Sequence, residues 1–350
     1  MRFLRPGRLM IYLIIGLFIR KNITPHITLD QSITIKPGQA AMSVITEHLW
    51  RRDAQRIRWA SRGNDELKKV QPGTYTFSGE YTTTQLIESL LAGPTSIYQR
   101  ITLLEWWNIR DVDKKLTDEW LIEAGAYTKF VTDPTIIERY VLRYEFLAKA
   151  KSERGSLTTL EGYLYPETYM IDPTKDIIDQ LVYLQLDTFQ SRVRKTYGTQ
   201  LSSLTTLLGQ KWYKFTLSSY GALILASVIE KEERTEKNKP TIASVFFNRL
   251  DNDMKLDADI TLCYGLREPY ESCTPARIVQ NLDDATNLFN TRAVKWLPPT
   301  PISSVQVSSV EALISAKKTD LFFYLHDSEG VLFTAKDITE HNLNKSKHLR

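Results

Sequence analysis

A run of nine apolar or small residues, 221–229, constrains the fold of this chain more than any other segment. A run of this length without a polar side indicates a helix that is buried all round. One face carries, at helical spacing, Leu223, Ala226, Glu230 and Glu233. A carboxyl group that projects from apolar surroundings can keep a proton near neutral pH and act as a general acid. Glu230 is therefore a candidate catalytic acid, or else simply the first solvated residue of a core helix.

The length and composition indicate a folded protein without a nucleic-acid partner. A chain of 350 residues corresponds to two domains, or to one large domain with an appendage. Hydrophobic residues make up 42% of it, which is enough for a sizeable core. Five basic residues lie in the first 21 positions, and the other 40 are balanced by 41 acidic side chains. The body of the chain therefore lacks the basic surface that is typical of nucleic-acid binding.

The N-terminus resembles a secretory signal. Basic residues flank Leu9–Ile19, eleven uncharged and mostly apolar residues, and no site for signal cleavage follows them. We predict an uncleaved membrane anchor within residues 1–22, with the N-terminus inside the cell. The chain would then be a single-pass protein of the cytoplasmic membrane with its body outside the cytoplasm. A cleaved signal peptide is the alternative, and it also exports the rest of the chain.

The sequence indicates neither a metal nor a cofactor. Its five histidines have no metal-ligand spacing, and it contains no glycine-rich phosphate loop and no Gly-x-Ser-x-Gly motif. Two cysteines, Cys263 and Cys273, lie in one polar segment. Export would allow a disulfide between them, and we predict that they pair. Two free thiols are the alternative.

Helical and strand patterns are segregated along the chain, which predicts an α+β fold. A small module combines strands and helices, at 32–38, 40–52, 71–77 and 83–91. A larger part opens with a strand at 101–104, and its helical patterns cover 109–150, 174–207, the Glu230 segment and 239–250. A polar loop is predicted at 254–265. Near the C-terminus a turn at 327–330 predicts a hairpin of two strands, 321–325 and 331–334.

Several unusual strings follow one another in a fixed order. They are Leu160-Glu-Gly-Tyr-Leu-Tyr-Pro-Glu-Thr-Tyr169, Ala226-Ser-Val-Ile-Glu-Lys-Glu232, Val245-Phe-Phe-Asn-Arg-Leu250 and Leu297-Pro-Pro-Thr-Pro-Ile302. Together they resemble the YceG-like endolytic murein transglycosylases over nearly the whole chain. The resemblance implies an anchor at 1–22, a LysM-like module at 23–97 and a catalytic domain at 98–350.

The resemblance also implies the site. The catalytic glutamate falls on Glu230, and the residues expected to contact the substrate are Ser227, Asn248, Asp259, Tyr264, Asn290 and Thr291. The chain departs from the family pattern at four positions. Glu233 replaces a residue that is usually small or hydroxylated, and Ile260 replaces the proline of Asp-Pro-Thr. Asp257 stands where glutamine is common, and Arg292 replaces a tyrosine after Asn-Thr.

Such enzymes cut peptidoglycan glycan strands between N-acetylmuramic acid and N-acetylglucosamine and leave 1,6-anhydro ends without using water. The implied role is to terminate or trim nascent strands, with the membrane and the wall-synthesis machinery as partners. One alternative is a membrane-anchored scaffold that binds peptidoglycan without cleaving it. Another is a hydrolytic muramidase that uses Glu233 or Asp259 as its second carboxylate.

Overall fold

The computed structural model describes residues 26–36, 38–95, 98–211, 213–268 and 272–349. The predicted anchor at residues 1–22 lies outside them. Among these described residues no helix combines the length and the apolar character that a membrane span requires. Many helices and a few short strands make up the described chain, so the predicted α+β class is confirmed. The chain divides into two compact units, which are described separately below.

The first unit contains the described residues up to Ile101, together with Met170–Asp176. Its helices are α1 (Ala41–Glu47), α2 (Arg51–Ala60) and α3 (Thr83–Leu91), with a 3-10 turn at Asp65–Lys69. The strands are β1 (Ile27–Thr28), β2 (Gln31–Ile35), β3 (Gly73–Phe77) and β4 (Glu80–Tyr81). Strand β2 pairs antiparallel with β3, and β1 with β4. This strand and helix order agrees with the predicted small module, whose LysM-like character stays a prediction.

One helix of this unit differs from its prediction. The sequence pattern extended a single helix from 40 to 52, whereas α1 ends at Glu47 and α2 begins at Arg51. Trp50 has an extended backbone, with ψ at 147°, and this interrupts the helical path. Ile45 and Ile57, one from each helix, are fully buried in the core of the unit.

The second unit contains 102–169 and 177–350. Strands β5 (Gln99–Thr102) and β6 (Thr168–Ile171) lie at its sequence boundaries. The predicted helical stretch 109–150 forms four short helices, α4 (Ile109–Asp118), α5 (Ala126–Thr132), α6 (Pro134–Val141) and α7 (Glu145–Arg154). Side chains fix two of the starts: Asn108 forms a capping box for α4, and Asp133 caps α6 ahead of Pro134. The stretch 174–207 is also divided, into α8 (Ile177–Phe189), a π-turn (Gln190–Arg194), α9 (Lys195–Ser202) and α10 (Leu204–Gln210).

The central helix of this unit is α11 (Ser219–Glu232), and every residue from Tyr220 to Glu230 is buried. The predicted fully buried helix is confirmed. It packs against α12 (Lys239–Asp251) and α15 (Val307–Ser315). Along the chain, α13 (Asp259–Gly265) and α14 (Pro275–Gln280) follow α12 and precede α15. The predicted loop at 254–265 is therefore wrong over its second half, which is helical.

The predicted C-terminal hairpin is confirmed. Strands β7 (Phe323–His326) and β8 (Leu332–Ala335) pair antiparallel, with Leu325 opposite Phe333. The final helix, α16 (Ile338–His348), begins at an Asp337 cap. Neither α15 nor α16 was predicted from the sequence, and α15 provides Ser309 as a partner of Glu230.

Candidate active site

Glu230 lies in a buried ion pair. Its side chain is 2% exposed, and Lys239 Nζ from α12 is 3.1 Å from its Oε1. Its Oε2 accepts hydrogen bonds from Ser309 Oγ at 2.5 Å and from the Gln306 backbone N–H at 3.3 Å. The sequence-based assignment assumed a carboxyl in apolar surroundings, and the structure instead surrounds it with internal donors. This geometry fits a residue that ties α11 to α12 and α15.

Glu232, two residues further on, has the raised pKa that is expected of a catalytic acid. It is partly accessible to solvent at the end of α11. Burial, with help from the negative charge of Asp259, raises the pKa of Glu232 to about 7. Hydrogen bonds from the Tyr324 hydroxyl and the Ile260 backbone N–H act in the opposite direction, as does the charge of His326. A carboxyl with these properties can hold a proton at neutral pH and still release it.

Strand β7 supplies two side chains to this end of α11. Tyr324 and His326 are alternate residues of the strand, so their side chains leave it on the same side. His326 Nε2 lies 3.0 Å from Glu233 Oε2. Burial raises the pKa of Glu233, but hydrogen bonds from His326, Thr235 N and Asn238 lower it by more, and the net pKa is below its ordinary value. Glu233 is therefore an ionised residue at the C-terminus of the helix and a poor proton donor.

Asp259 contributes a second carboxylate beside Glu232, which is the candidate acid from here on. It accepts a hydrogen bond from Arg292 Nε, and Arg292 Nη1 lies 3.0 Å from Asp257 Oδ1. Asp257 and Arg292 are two of the positions at which the chain departs from the family pattern. They contact each other here, so one departure compensates the charge of the other.

Tyr264, a predicted substrate contact, belongs to a second cluster. Its hydroxyl donates to Glu161 Oε2 at 3.2 Å, and its ring lies against Phe289 and beneath the guanidinium of Arg110. Glu161 is 1% exposed and also accepts from the Ile109 backbone N–H. Burial raises the pKa of Glu161 to about 7. Because Glu161 is enclosed, we assign it to holding Tyr264 and the start of α4.

Four other predicted contacts use their polar atoms inside the protein, and each is at most 2% exposed: Ser227, Asn248, Asn290 and Thr291. Ser227 Oγ accepts from the Ile302 backbone N–H, and Asn248 Nδ2 donates to the Leu321 carbonyl. Asn290 Nδ2 donates to backbone carbonyls at 281, 282 and 284, and Thr291 Oγ1 bonds with Thr261 Oγ1. These side chains hold the surrounding loops in place. Their polar atoms are engaged inside the protein, and their contact with a substrate stays a prediction.

The predicted disulfide is present. Cys263 on α13 and Cys273 are bonded, with their Cα atoms 5.7 Å apart. The bridge restrains the C-terminal end of α13, the helix that also carries Asp259 and Ile260. Among the residues that the structure describes, no group of three or more His, Cys, Asp or Glu side chains is arranged to hold a metal ion.

Four residues of the candidate site were not predicted from the sequence: Glu232, Tyr324, His326 and Glu161. Glu232 lies in the same motif as Glu230, and the run before them is apolar or small on every face, so helix geometry alone does not separate the two. No signal in the sequence placed the hairpin residues beside α11, because that contact spans more than 90 residues of the chain.

Comparison with known proteins identifies the family. The model of the YceG-like family matches residues 33–347, so the chain belongs to this family and the prediction is confirmed. A Bacillus subtilis (strain 168) protein named endolytic murein transglycosylase is 25% identical over 338 residues, covering 94% of this chain and 89% of that protein.

Two further relatives extend the comparison. A Streptococcus pneumoniae protein of the same name is 25% identical, and the match covers 80% of this chain but only 51% of the pneumococcal protein. A crystal structure of a putative YceG-like protein from Listeria monocytogenes aligns with a TM-score of 0.60 and 25% identity. That alignment covers 90% of this chain and 99% of the Listeria chain.

Proposed function

We propose that this chain is a lytic transglycosylase that cleaves peptidoglycan glycan strands, with Glu232 as its catalytic acid and base. One observation carries the proposal. Glu232 is a partly accessible carboxyl whose pKa is raised to about 7, mainly by burial. Membership of the YceG-like family and the names of the curated relatives support the substrate class.

The chemistry requires one group that gives a proton and then takes one back. Protonated Glu232 would donate to the glycosidic oxygen between N-acetylmuramic acid and N-acetylglucosamine as that bond breaks. Its carboxylate would then accept the proton of the muramic C6 hydroxyl as that oxygen attacks C1, giving a 1,6-anhydro end. The substrate supplies the nucleophile, so a second nucleophilic carboxylate is unnecessary.

Two neighbours fit this scheme. Positive charge develops on the sugar as the bond breaks, and a nearby carboxylate would stabilise it. The carboxylate of Asp259 could serve in this way, because it lies close enough to Glu232 to raise the pKa of that residue. The Tyr324 hydroxyl donates to the acid and would favour its ionised form in the second step. Neither residue needs to change its protonation state during the cycle.

A hydrolytic muramidase is the second candidate, because Asp259 lies beside the acid and could activate a water molecule. The ion pair with Arg292 holds Asp259 in a fixed position and argues for an electrostatic role instead. Glu233 is a weaker partner, since it is 2% exposed and bonded to His326. The products separate the two reactions: hydrolysis leaves reducing ends, whereas the proposed reaction leaves anhydro ends.

The test compares two substitutions only two residues apart. Purified glycan strands are digested with wild-type protein, Glu232→Gln and Glu230→Gln, and the chain ends are identified by mass spectrometry. Glu232→Gln should lower the rate by at least 10²–10⁴-fold, because the amide cannot transfer a proton. Folded Glu230→Gln should remain within about tenfold of wild type. Near-normal formation of anhydro ends by Glu232→Gln would overturn the assignment, and an inactive wild type would favour the scaffold alternative.

The cellular role follows from the proposed reaction. An extracytoplasmic enzyme anchored by residues 9–19 would meet nascent strands at the membrane and could terminate or trim them beside the synthesis machinery. Membrane fractionation tests the anchor. The protein should stay with the membranes after a carbonate wash, whereas release, or a mature N-terminus after residue 20, would contradict it.

A further inference from the structure

A cavity lies at the opposite end of α11 from the candidate acid. Its volume is about 560 Å³, which is within the range of ligand sites. Ser218, Gly221 and Ile224 line it along the first turns of the helix, and Glu232 ends the same helix eight residues after Ile224. At 1.5 Å per residue, eight residues correspond to about 12 Å. The cavity is therefore separate from the place where a bond would be broken.

The cavity has an apolar and aromatic wall. Trp296 is 50% exposed and Leu288 is 63% exposed, and both line it together with Leu297, Pro298 and Pro299. Single exposed apolar residues are common, but here several converge on one concave surface with an indole ring at its edge. A flat ring of this kind provides contact area for the apolar face of a sugar and the methyl group of an acetamide.

Two basic side chains line the cavity, and both are engaged. Lys295 is paired with Asp253. Arg154 donates to the Pro299 carbonyl and lies over the Tyr220 ring. Because Lys295 is neutralised and Arg154 is held against a carbonyl and an aromatic ring, the cavity offers little free charge to an anionic polymer. It suits a neutral ligand that has apolar faces and several hydroxyl or amide groups.

The segment 292–296, whose last two residues are exposed, connects the cavity to the surroundings of Glu232. Arg292 bonds with Asp259 beside Glu232, and Trp296 is only four residues further along the chain. Four Cα–Cα steps of 3.8 Å keep the Cα atoms of Arg292 and Trp296 within about 15 Å of each other. An extended oligosaccharide could therefore lie against both places at once.

We propose that this cavity is a distal subsite that binds a neutral N-acetylated sugar unit of a glycan strand, several units away from the bond beside Glu232. The proposal rests on the proposed function for the identity of the strand. Binding at a distance from the cleaved bond favours long strands over short ones, because only a long strand occupies both places.

The test measures binding separately from cleavage. Glu232→Gln protein binds uncross-linked glycan strands of defined length, and its affinity is compared with that of the same protein carrying Trp296→Ala. Loss of the indole should weaken binding of long strands by on the order of tenfold and leave strands too short to span both places unchanged. Leu288 is a second exposed residue of the wall, and Leu288→Ser should also weaken the binding of long strands.

Trp120→Ala is the matched control. Trp120 is 86% exposed and, like Trp296, has a left-handed backbone, with φ values of 59° and 74° respectively. The two substitutions therefore remove the same ring from the same kind of backbone, and Trp120→Ala should leave binding unchanged. Equal losses in the two variants, equal losses for short and long strands, or no loss with Trp296→Ala and Leu288→Ser would each overturn the subsite. If binding depends on Trp296 but the wild type releases no products, the proposed function fails and the binding site stands.

Discussion

Replacing Glu230 by glutamine should destabilise the protein without removing its chemistry. The side chains of Lys239 and Glu230 are only 3% and 2% exposed. Removing one partner of a buried ion pair typically costs about 3–5 kcal/mol, because it leaves the other charge buried without compensation. In a unit of this size 1 kcal/mol corresponds to about 2–4 °C in melting temperature. The second unit should therefore melt roughly 6–20 °C below the wild type.

The assay combines calorimetry with rates measured below the melting temperature of the variant. Glu232→Gln is the control, and its melting temperature should stay within about 3 °C of wild type because its carboxyl is partly accessible. Adding Lys239→Met to Glu230→Gln should recover stability, since the unpaired charge is then removed as well. An unchanged melting temperature for Glu230→Gln would refute the reasoning. So would a folded Glu230→Gln protein whose rate is reduced more than 100-fold.

Three further changes test the surroundings of the acid. The first step needs protonated Glu232, so activity should fall as the pH rises through about 7. Asp259→Asn removes a charge that raises this pKa, and the alkaline limb of the pH–rate profile should move to lower pH. Tyr324→Phe removes a hydrogen bond that lowers the pKa of Glu232, so the alkaline limb should move to higher pH. If the limb moved in the same direction in both variants, this account would be contradicted. Replacing Cys263 and Cys273 by serine should cost roughly 3 kcal/mol in denaturant unfolding, from the entropy of a short loop, and equal stability with and without the bridge would show that it contributes nothing.

Patterns that act over one element were predictable from the sequence. The apolar run at 221–229 indicated a buried helix because nine residues exceed the length of most buried strands. The hairpin followed from two apolar strands and the turn at 327–330. In both cases the residues that determine the element lie within it.

Elements that depend on distant contacts were not predictable. Helix α13 has only seven residues, fewer than two full turns. Thr261, within it, bonds with Thr291, 30 residues further along the chain, and that contact supports the helix. Local propensity gives a helix of this length little stability by itself, so tertiary packing determines whether it forms.

The choice between Glu230 and Glu232 shows the same limit within a single motif. Residues two apart on a helix point about 200° away from each other, so the two carboxyl groups face different neighbours. The apolar side of α11 directs Glu230 into the core, where α12 and α15 provide Lys239 and Ser309. A carboxyl buried so deeply needs such partners, and the partners that satisfy it also make it unavailable to a substrate. Catalysis needs a carboxyl that is desolvated enough to keep its proton and accessible enough to transfer it, and Glu232 meets both conditions because it ends the helix where the core meets the solvent.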